Sequence, residues 1–262
     1  MLYVVQENVF REQNYDKIFQ ALERLNLSYE VVKIENDGKL SKVKTDRKDV
    51  FVFGSIRAAR LSTQLGWLPG SLYGNNHDYM IYSKFYKDNL LNWNCKLANI
   101  EDTIRWEPNE LKFIRPCQDS KVFNGGLYTQ AKWIDIVAGI QEKYHGVLPP
   151  VDIQIGEPKK IYKEARIWVV NGKVVTSSYY KFGDNVAYLE DVEPEAIEFT
   201  KQMIKIYQVA TAFVMDICLT PDGWKIVEIN CINCAGFYKA DMQKLLMSLE
   251  DYYTPSLNLF SN

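Results

Sequence analysis

The segment FVMDICLTPDGWKIVEIN, residues 213–230, contains the carboxylates of Asp216 and Glu228 and the side-chain amide of Asn230 on either side of a turn sequence. Pro-Asp-Gly at 221–223 is typical of a turn, because proline presets φ and glycine tolerates a positive φ, so the segment is predicted to form a β-hairpin. If these three residues form the loop, Asp216 lies directly opposite Glu228, and Asn230 follows on the same face. The other face is then apolar, which supports this register. It carries Phe213, Met215, Ile217, Leu219, Val227 and Ile229.

Facing carboxylates on paired strands repel each other, because the Cβ atoms of such pairs are only about 4.5–5.5 Å apart. A cation would relieve this repulsion, and Asp216, Glu228 and Asn230 offer three hard oxygen ligands of the kind that Mg²⁺ prefers. The alternative is a solvated hairpin face with incidental acidic residues. Glu228 lies in an apolar run and Asn230 opens a Cys/Asn/Gly loop, which favours the metal site.

A strand with an aspartate, a turn, and then Val-Glu-Ile-Asn followed by a glycine resembles the metal-binding end of the ATP-grasp superfamily. The pattern is most similar to the ATP-grasp clade that is named for its two arginines and one lysine and is common in phages and bacteria. The resemblance implies that Asp216, Glu228 and Asn230 hold Mg²⁺ against the phosphates of ATP. It also implies an α+β ATP-grasp fold, in which two α+β subdomains grip ATP.

A second segment resembles the phosphate-binding region of the same clade. The predicted strand LKFIR, residues 111–115, is followed by Pro116 and by the polar, glycine-rich segment CQDSKVFNGG. The resemblance implies that Arg115 and Lys121 reach the ATP phosphates, and Gly125-Gly126 would allow close backbone approach. The segment is not a Walker A loop. The alternatives are a surface arginine and a solvated loop lysine.

A second hairpin is predicted around Asn171-Gly172, because this dipeptide favours a two-residue type I′ turn. Its first strand contains Glu164 and Arg166 on one face, and the resemblance implies that Arg166 is the second arginine of the clade, directed at the γ-phosphate or the substrate carboxylate. Glu164 and Lys181 are further nucleotide-binding candidates. The alternative for Glu164 and Arg166 is an ordinary ion pair on an exposed face.

The segment 151–155 is predicted to be a strand that leads into Gly-Glu-Pro. In ATP-grasp folds this strand and its exit form the hinge between the subdomains, and adenine lies there. The resemblance therefore makes Ile153, Ile155 and Glu157 candidates for contact with adenine, although plain core and loop roles are an equal alternative.

The N-terminal part of the chain alternates short apolar strands with helical patterns and is predicted to be a small α/β lobe, residues 1–75. Residues 76–262 are then the ATP-grasp domain, with its subdomain hinge near 153–158. The junction Gly54-Ser55, between a predicted strand and a predicted helix, could present backbone N–H groups to an anion. An ordinary strand-to-helix turn is the alternative.

Composition argues against several classes of function. The net charge is −2 and there is no basic stripe, so nucleic-acid binding is not expected. No apolar run approaches the roughly 18 residues of a membrane helix, and the N-terminus lacks the pattern of a signal peptide. The five cysteines are predicted to be reduced thiols in the cytoplasm, or in the host cytoplasm for a phage protein. Cys231 and Cys234 form a lone CxxC, for which zinc and redox roles are alternatives to a simple loop role.

These resemblances imply an enzyme that uses ATP and Mg²⁺ to join a carboxylate to an amine through an acylphosphate, forming an amide or peptide bond. Its substrates would be small molecules or peptides. Arg166, Arg115 and Lys121 would stabilise the charge that develops during phosphoryl transfer. The alternatives are an ATP-dependent phosphotransferase on the same fold and a nucleotide-binding protein without catalysis.

Overall fold

The structure is a computed structural model that describes residues 1–8, 11–41, 43, 45–118, 120 and 122–254. Within these residues the chain forms three β-sheets and six α-helices. The sheets follow one another along the chain. None of the described helices is both long enough and apolar enough to cross a membrane.

The first sheet is parallel and has the strand order β2-β1-β3-β4. Its elements are β1 (Leu2–Gln6), α1 (Lys17–Arg24), β2 (Tyr29–Val32), β3 (Asp49–Phe53), α2 (Ile56–Gln64) and β4 (Leu68–Gly70). The side chains of β1 are buried throughout, as the apolar run LYVV predicts for a strand of a parallel sheet. The predicted α/β character of this region is therefore confirmed, whereas the boundary at residues 75 and 76 stays a prediction.

The second sheet has the order β5-β8-β6-β7 and is preceded by an aromatic helix. The elements are α3 (Tyr79–Tyr86), β5 (Lys96–Asn99), β6 (Lys112–Pro116), β7 (Gly126–Tyr128), α4 (Gln130–Lys143) and β8 (Asp152–Gly156). Helix α4 begins where the Thr129 side chain accepts a hydrogen bond from the backbone N–H of Lys132, as the sequence predicts for an N-cap.

The two faces of the second sheet have different roles. One face carries Ile114 and Ile153, which pack with Trp133 and Ile140 of α4 in a local core. The other face carries two facing pairs, Phe113 with Gly156 and Arg115 with Gln154. Because successive side chains of a strand alternate between faces, every second residue of β6 and β8 points away from α4.

The third sheet is antiparallel and has the order β11-β10-β9-β12-β13. Its elements are β9 (Lys163–Val170), β10 (Lys173–Phe182), β11 (Asn185–Leu189), α5 (Pro194–Ile206), β12 (Ala212–Thr220), β13 (Gly223–Cys231) and α6 (Met242–Tyr253). The turn between β9 and β10 is Asn171-Gly172, and both residues have a positive φ, which the predicted type I′ turn requires. The sequence missed the edge strand β11.

One face of the third sheet packs at one end against the first sheet. Trp168 and Val214 share a core with Tyr3 and Phe51 of the first sheet and with Leu245 of α6. The same face continues along β9 and β12 to a group of polar residues at the other end of these strands. The first sheet therefore buries one end of this face and leaves the other end uncovered by its core.

The hairpin of β12 and β13 differs from the prediction at its turn. Thr220 faces Gly223 rather than Trp224, so the loop has two residues instead of three. A β-bulge then inserts Val227 between the pairs Ile217–Ile226 and Asp216–Glu228. The bulge shifts the register by one residue, so the predicted pairing of Asp216 with Glu228 is confirmed although the predicted loop is wrong.

Candidate functional site

The polar end of the third sheet is centred on a buried ion pair between Arg166 of β9 and Asp216 of β12. The two residues face each other in the strand register. The guanidinium donates through Nε to Oδ1 and through Nη2 to Oδ2, both at 2.8 Å. The side chains are only 8% and 1% exposed, so water screens this bidentate pair very little.

Asp216 also contacts the two other residues that the sequence predicts to be metal ligands. Glu228 lies directly opposite on β13, and Asn230 donates from Nδ2 to Asp216 Oδ2 at 3.1 Å. Burial raises the pKa of Asp216 to about 6, with Arg166 opposing the rise and Glu228 adding to it. The three predicted ligands are therefore brought together on one face.

The second carboxylate of this face is paired with an arginine from the second sheet. Arg115 of β6 forms an ion pair with Glu228 and donates from Nη1 to the carbonyl oxygen of Val227 at 3.1 Å. Val227 is the bulge residue, so the bulge turns its carbonyl towards Arg115. This contact joins the second sheet to the third across the space between them.

A third polar group consists of Glu164 of β9 with Tyr180 and Lys181 of the neighbouring strand β10. Glu164 Oε1 lies 3.1 Å from Lys181 Nζ, and Glu164 Oε2 accepts a hydrogen bond of 2.7 Å from the Tyr180 hydroxyl. Burial, together with Asp216 and Glu164, raises the pKa of Tyr180 well above its usual range. Tyr180 is therefore a neutral donor that holds Glu164 in place.

A cavity of about 350 Å³ lies between the second and third sheets, and we call it the inter-sheet cavity. Its walls include four residues predicted from the sequence, Arg115, Glu164, Lys181 and Glu228. Its apolar walls come from residues that the sequence analysis did not single out, Phe113, Leu127 and Ile161. Gly125 and Gly126, predicted to allow close backbone approach, also line this cavity.

A second cavity, of about 460 Å³, lies next to Arg166, and we call it the N-terminal cavity. Its walls include Arg11, Gln13, Arg166, Tyr188, Asn230 and Tyr238. Glu228 lines the inter-sheet cavity and Asn230 lines the N-terminal cavity. The row formed by Asp216, Glu228 and Asn230 therefore reaches both cavities.

Tyr238 has an unusual backbone conformation beside Arg166. Its φ is 47°, a value that is uncommon for a bulky residue and requires support from its surroundings. The centre of its ring lies 4.5 Å from Arg166 Cζ, within cation–π range, and 5.0 Å from the ring of Tyr188. Arg166 also donates from Nη1 to the carbonyl of Gly236 at 3.2 Å.

The support for this loop comes from the N-terminal region. The Glu12 carboxylate accepts hydrogen bonds from the backbone N–H groups of Phe237, at 2.8 Å, and Tyr238. Lys17 Nζ donates to the carbonyls of Phe237 and Ala240, both at 3.1 Å, and to that of Tyr238. Two side chains from α1 and the segment before it thus fix the backbone that positions the Tyr238 ring.

The structure does not bring all the predicted nucleotide-contacting residues to a cavity wall. Ile153 is fully buried in the core under α4, and Ile155 packs against the same core. Glu157 follows the end of β8, is exposed, and is not part of the inter-sheet wall. The two isoleucines therefore lie on the face of the strand that packs on α4, and they have core roles here.

Two further sequence predictions concern Lys121 as a phosphate ligand and the Gly54-Ser55 junction as an anion site. Lys121 lies outside the described residues. At the Gly54-Ser55 junction, the backbone N–H of Gly54 donates to the Asn233 carbonyl at 2.8 Å and that of Ser55 donates to Gln6 Oε1 at 2.9 Å. These two N–H groups are therefore satisfied within the protein, which supports the interpretation of this junction as a structural turn.

Cys231 lies behind the site, whereas Cys234 is part of the wall of the N-terminal cavity. Cys231 is fully buried and its Sγ donates to Asn233 Oδ1 at 3.3 Å. Asn233 in turn accepts from the backbone N–H of Leu72 at 2.8 Å and donates to the Val52 carbonyl at 2.6 Å. The CxxC segment therefore ties the site loop to the first sheet.

The sequence comparison agrees with this geometry. Residues 64–249 match a family model described as an ATP-grasp domain, family 3 of the clade of two arginines and one lysine. The chain belongs to this clade of ATP-grasp proteins. The clade that the sequence indicated is thus confirmed, together with the α+β ATP-grasp fold. No curated protein sequence matches this ATP-grasp chain.

Solved structures with the same fold include one synthetase and two ligases. D-cycloserine synthetase DcsG aligns with a TM-score of 0.64 and 8% identity, over 97% of this chain and 100% of its own. D-alanine–D-alanine ligase from Bacillus anthracis aligns with a TM-score of 0.59 and 12% sequence identity, over 97% of each chain. The ATP-grasp ligase PsnB, complexed with a minimal precursor, aligns with a TM-score of 0.55 and 14% sequence identity, over 97% of this chain and 98% of its own.

Proposed function

We propose that this ATP-grasp protein is an ATP-dependent ligase that joins a carboxylate to an amine through an acylphosphate. The observation that carries this proposal is the row of Asp216, Glu228 and Asn230, which reaches two separate cavities and is flanked by Arg115 and Arg166. Such an arrangement suits a group transfer between a nucleotide on one side and a second substrate on the other.

The inter-sheet cavity is the proposed nucleotide site. Arg115, Lys159 and Lys181 supply positive charge to its walls, as the phosphates of ATP require. Phe113 and Leu127 offer apolar surface for a base. The volume of about 350 Å³ falls within the range of small-molecule sites.

The donor chemistry of the central row fits a divalent cation. Asp216 and Glu228 are facing carboxylates, and each is paired with an arginine, as two adjacent negative charges require. Carboxylate and amide oxygens are hard ligands that suit Mg²⁺, so Asp216, Glu228 and Asn230 would hold the ion. Bound there, Mg²⁺ would supply charge neutralisation for the transferred phosphoryl group.

The N-terminal cavity is the proposed site of the carboxylate and amine substrates. Both carboxylate oxygens of Glu12 accept backbone N–H groups, whereas the guanidinium of Arg11 makes no ion pair with any described residue. Arg11 therefore supplies a positive charge to this wall that no described carboxylate neutralises by an ion pair, which favours an anionic substrate. The structural relatives include a D-alanine–D-alanine ligase and a ligase bound to a precursor, which supports amino-acid-like or peptide substrates.

In the proposed reaction the chain's own residues position and neutralise the reactants. A carboxylate oxygen of the substrate attacks the γ-phosphorus of ATP, the bond to the β-phosphate oxygen breaks, and ADP leaves. An amine then attacks the acyl carbon, loses a proton and displaces phosphate. Arg166 lies next to the site of attack and Arg115 lines the nucleotide side, so both stabilise the negative charge that develops. Their ion pairs, of which that of Arg166 is buried and that of Arg115 is half-buried, fix the two guanidinium groups before the substrates bind.

Calorimetric titration with ATP, in the presence and absence of Mg²⁺, tests the proposal on wild type, Asp216→Asn and Asp222→Asn. Asp222 lies in the exposed turn of the same hairpin, so its variant is a matched control. We expect Mg²⁺-dependent ATP binding by wild type and Asp222→Asn, and its loss in Asp216→Asn. ADP release with pairs of carboxylates and amines then tests the ligation.

Each of the other outcomes overturns a defined part of the proposal. ADP release with a phosphorylated acceptor and no amide would identify a phosphotransferase. ATP binding without turnover of any acceptor would indicate a nucleotide-binding protein without catalysis. No ATP binding by wild type would reject the nucleotide site itself.

A further inference from the structure

The wall of the inter-sheet cavity contains a buried amide that the proposed chemistry does not use. Asn92 lines this cavity and is only 4% exposed. Among the described residues, its Nδ2 has no hydrogen-bond partner. A buried donor without a partner is costly, so an Asn kept at such a place indicates a ligand that completes its hydrogen bonds.

The backbone around Asn92 is fixed on both sides. The Tyr79 hydroxyl donates to the Asn92 carbonyl at 3.0 Å, and the backbone N–H of Leu91 donates to the Ile226 carbonyl at 2.8 Å. The side chain is therefore presented by the third sheet and by α3, not by a free loop. A pre-organised donor of this kind loses little entropy when it binds a ligand.

The second sheet leaves room in front of this side chain. Gly156 ends β8 on the cavity face, opposite Phe113, and a Cβ at this position would lie 3.5 Å from Asn92 Oδ1. Any larger side chain there would cover the amide of Asn92. The glycine thus leaves the space next to the amide unfilled on the face of the sheet that also carries Phe113, whose aromatic ring is a suitable surface for a planar base.

The chemistry of the amide defines the group that it would bind. Asn presents donor and acceptor atoms in one plane, and this pair matches the edge of adenine, where the exocyclic N6 amine donates and a ring nitrogen accepts. We infer that Asn92 recognises the adenine base of the nucleotide through its N6 edge. This inference rests on the proposed function, because it assumes that the inter-sheet cavity holds ATP.

A second buried amide lies nearby but is a weaker candidate. Gln154 is 2% exposed, and its Nε2 has no partner among the described residues. It faces Arg115 on the cavity side of the second sheet, yet it is not part of the cavity wall. Asn92 therefore makes the direct contact in this assignment.

The test compares ATP with purine riboside triphosphate, which lacks only the N6 amine. Calorimetry would measure both affinities for wild type, Asn92→Ala and the nearly isosteric Asn92→Leu. Asn94→Ala is the matched control, because Asn94 is exposed and lies two residues away. Removing an unpartnered buried amide should not lower stability, so thermal unfolding would confirm that the Asn92→Leu variant is folded.

We expect wild type and Asn94→Ala to bind ATP about tenfold more tightly than purine riboside triphosphate, as one hydrogen bond to a buried group would give. Both Asn92 variants should bind the two nucleotides equally. A preference for ATP that persists in Asn92→Leu would overturn the assignment and leave the proposed function intact. If wild type binds neither nucleotide, the proposed function and this assignment both fail.

Discussion

Arg166 and Asp216 face each other on neighbouring inner strands, and their two N–O distances are both 2.8 Å. This fork fixes the guanidinium in the wall of the N-terminal cavity. The same guanidinium is stacked on Tyr238 and donates to the Gly236 carbonyl. Arg166 is thus held from three directions at the point where the proposed reaction takes place.

Replacing Arg166 with lysine should reduce ATP turnover by about 100-fold, because a single ammonium cannot make the two parallel bonds. The free energy of unfolding should also fall by about 1–3 kcal/mol, since Asp216 loses a charged donor in a buried place. Steady-state kinetics and urea unfolding measure the two effects. Arg60→Lys, at an exposed position of α2, should change neither, and equal behaviour of the two variants would contradict the role of Arg166.

Replacing Glu228 with glutamine should weaken Mg²⁺-dependent ATP binding by at least about tenfold, because one charge is removed from the proposed metal ligands. The fold should survive, since glutamine keeps the shape of the side chain. Glu110→Gln is a matched control: Glu110 also pairs with a basic residue and is 29% exposed, compared with 25% for Glu228. Titration of ATP binding with Mg²⁺ measures the effect, and an unchanged Mg²⁺ requirement would reject Glu228 as a ligand.

Tyr238 is expected to position Arg166 through its ring. Tyr238→Leu should lower kcat by about 3- to 30-fold, in line with the strength of cation–π contacts, while ATP affinity stays constant. Tyr238→Phe keeps the ring and should retain nearly full activity. If the phenylalanine variant loses as much activity as the leucine variant, the hydroxyl rather than the ring would be responsible.

Glu12 is expected to stabilise the loop that carries Tyr238. In Glu12→Gln the side chain loses its charge and only one of its two terminal atoms remains an acceptor, so one backbone N–H loses its partner. Hydrogen exchange at Phe237 and Tyr238 should accelerate by roughly 10- to 100-fold, as the loss of a charge-assisted bond predicts. The exposed Glu7 gives the control variant Glu7→Gln, and equal protection in both variants would show that Glu12 is dispensable.

The central hairpin shows which parts of the site the sequence could predict. Alternation of polar and apolar residues correctly placed Asp216 opposite Glu228, since one face had to be buried. The same alternation missed the bulge at Val227, because valine suits either a regular strand or a bulge. The pairing of Asp216 with Glu228 was therefore predicted correctly from a loop length that was wrong by one residue. The hydrogen bond from Arg115 to the Val227 carbonyl could not be predicted.

Strand β8 shows a different limit. The bounds of this strand were predicted to within one residue. The resemblance made Ile153 and Ile155 candidates for contact with the nucleotide, whereas both side chains pack towards α4. An alternating strand between two layers has an apolar face and a more polar one, and here the polar residue Gln154 and Gly156 face the cavity side. Apolar alternation identifies the core face, so ligand contacts are better sought among the intervening residues.

Contacts between distant parts of the chain left no local signal. Glu12 and Lys17 bind a loop more than 200 positions away, and neither residue stands out in the N-terminal sequence. Only the three-dimensional arrangement of the first and third sheets brings them to Tyr238.

Glu12 and Lys17 both precede residue 64, where the match to the family model begins. A fragment limited to residues 64–249 would keep Arg166, Asp216 and Glu228 but would lack the side chains that hold the Tyr238 loop. It would also expose Trp168 and Val214, which the first sheet covers. Transplanting the matched region onto another N-terminal lobe would therefore require that lobe to supply an acceptor for two amides and a cation for three carbonyls.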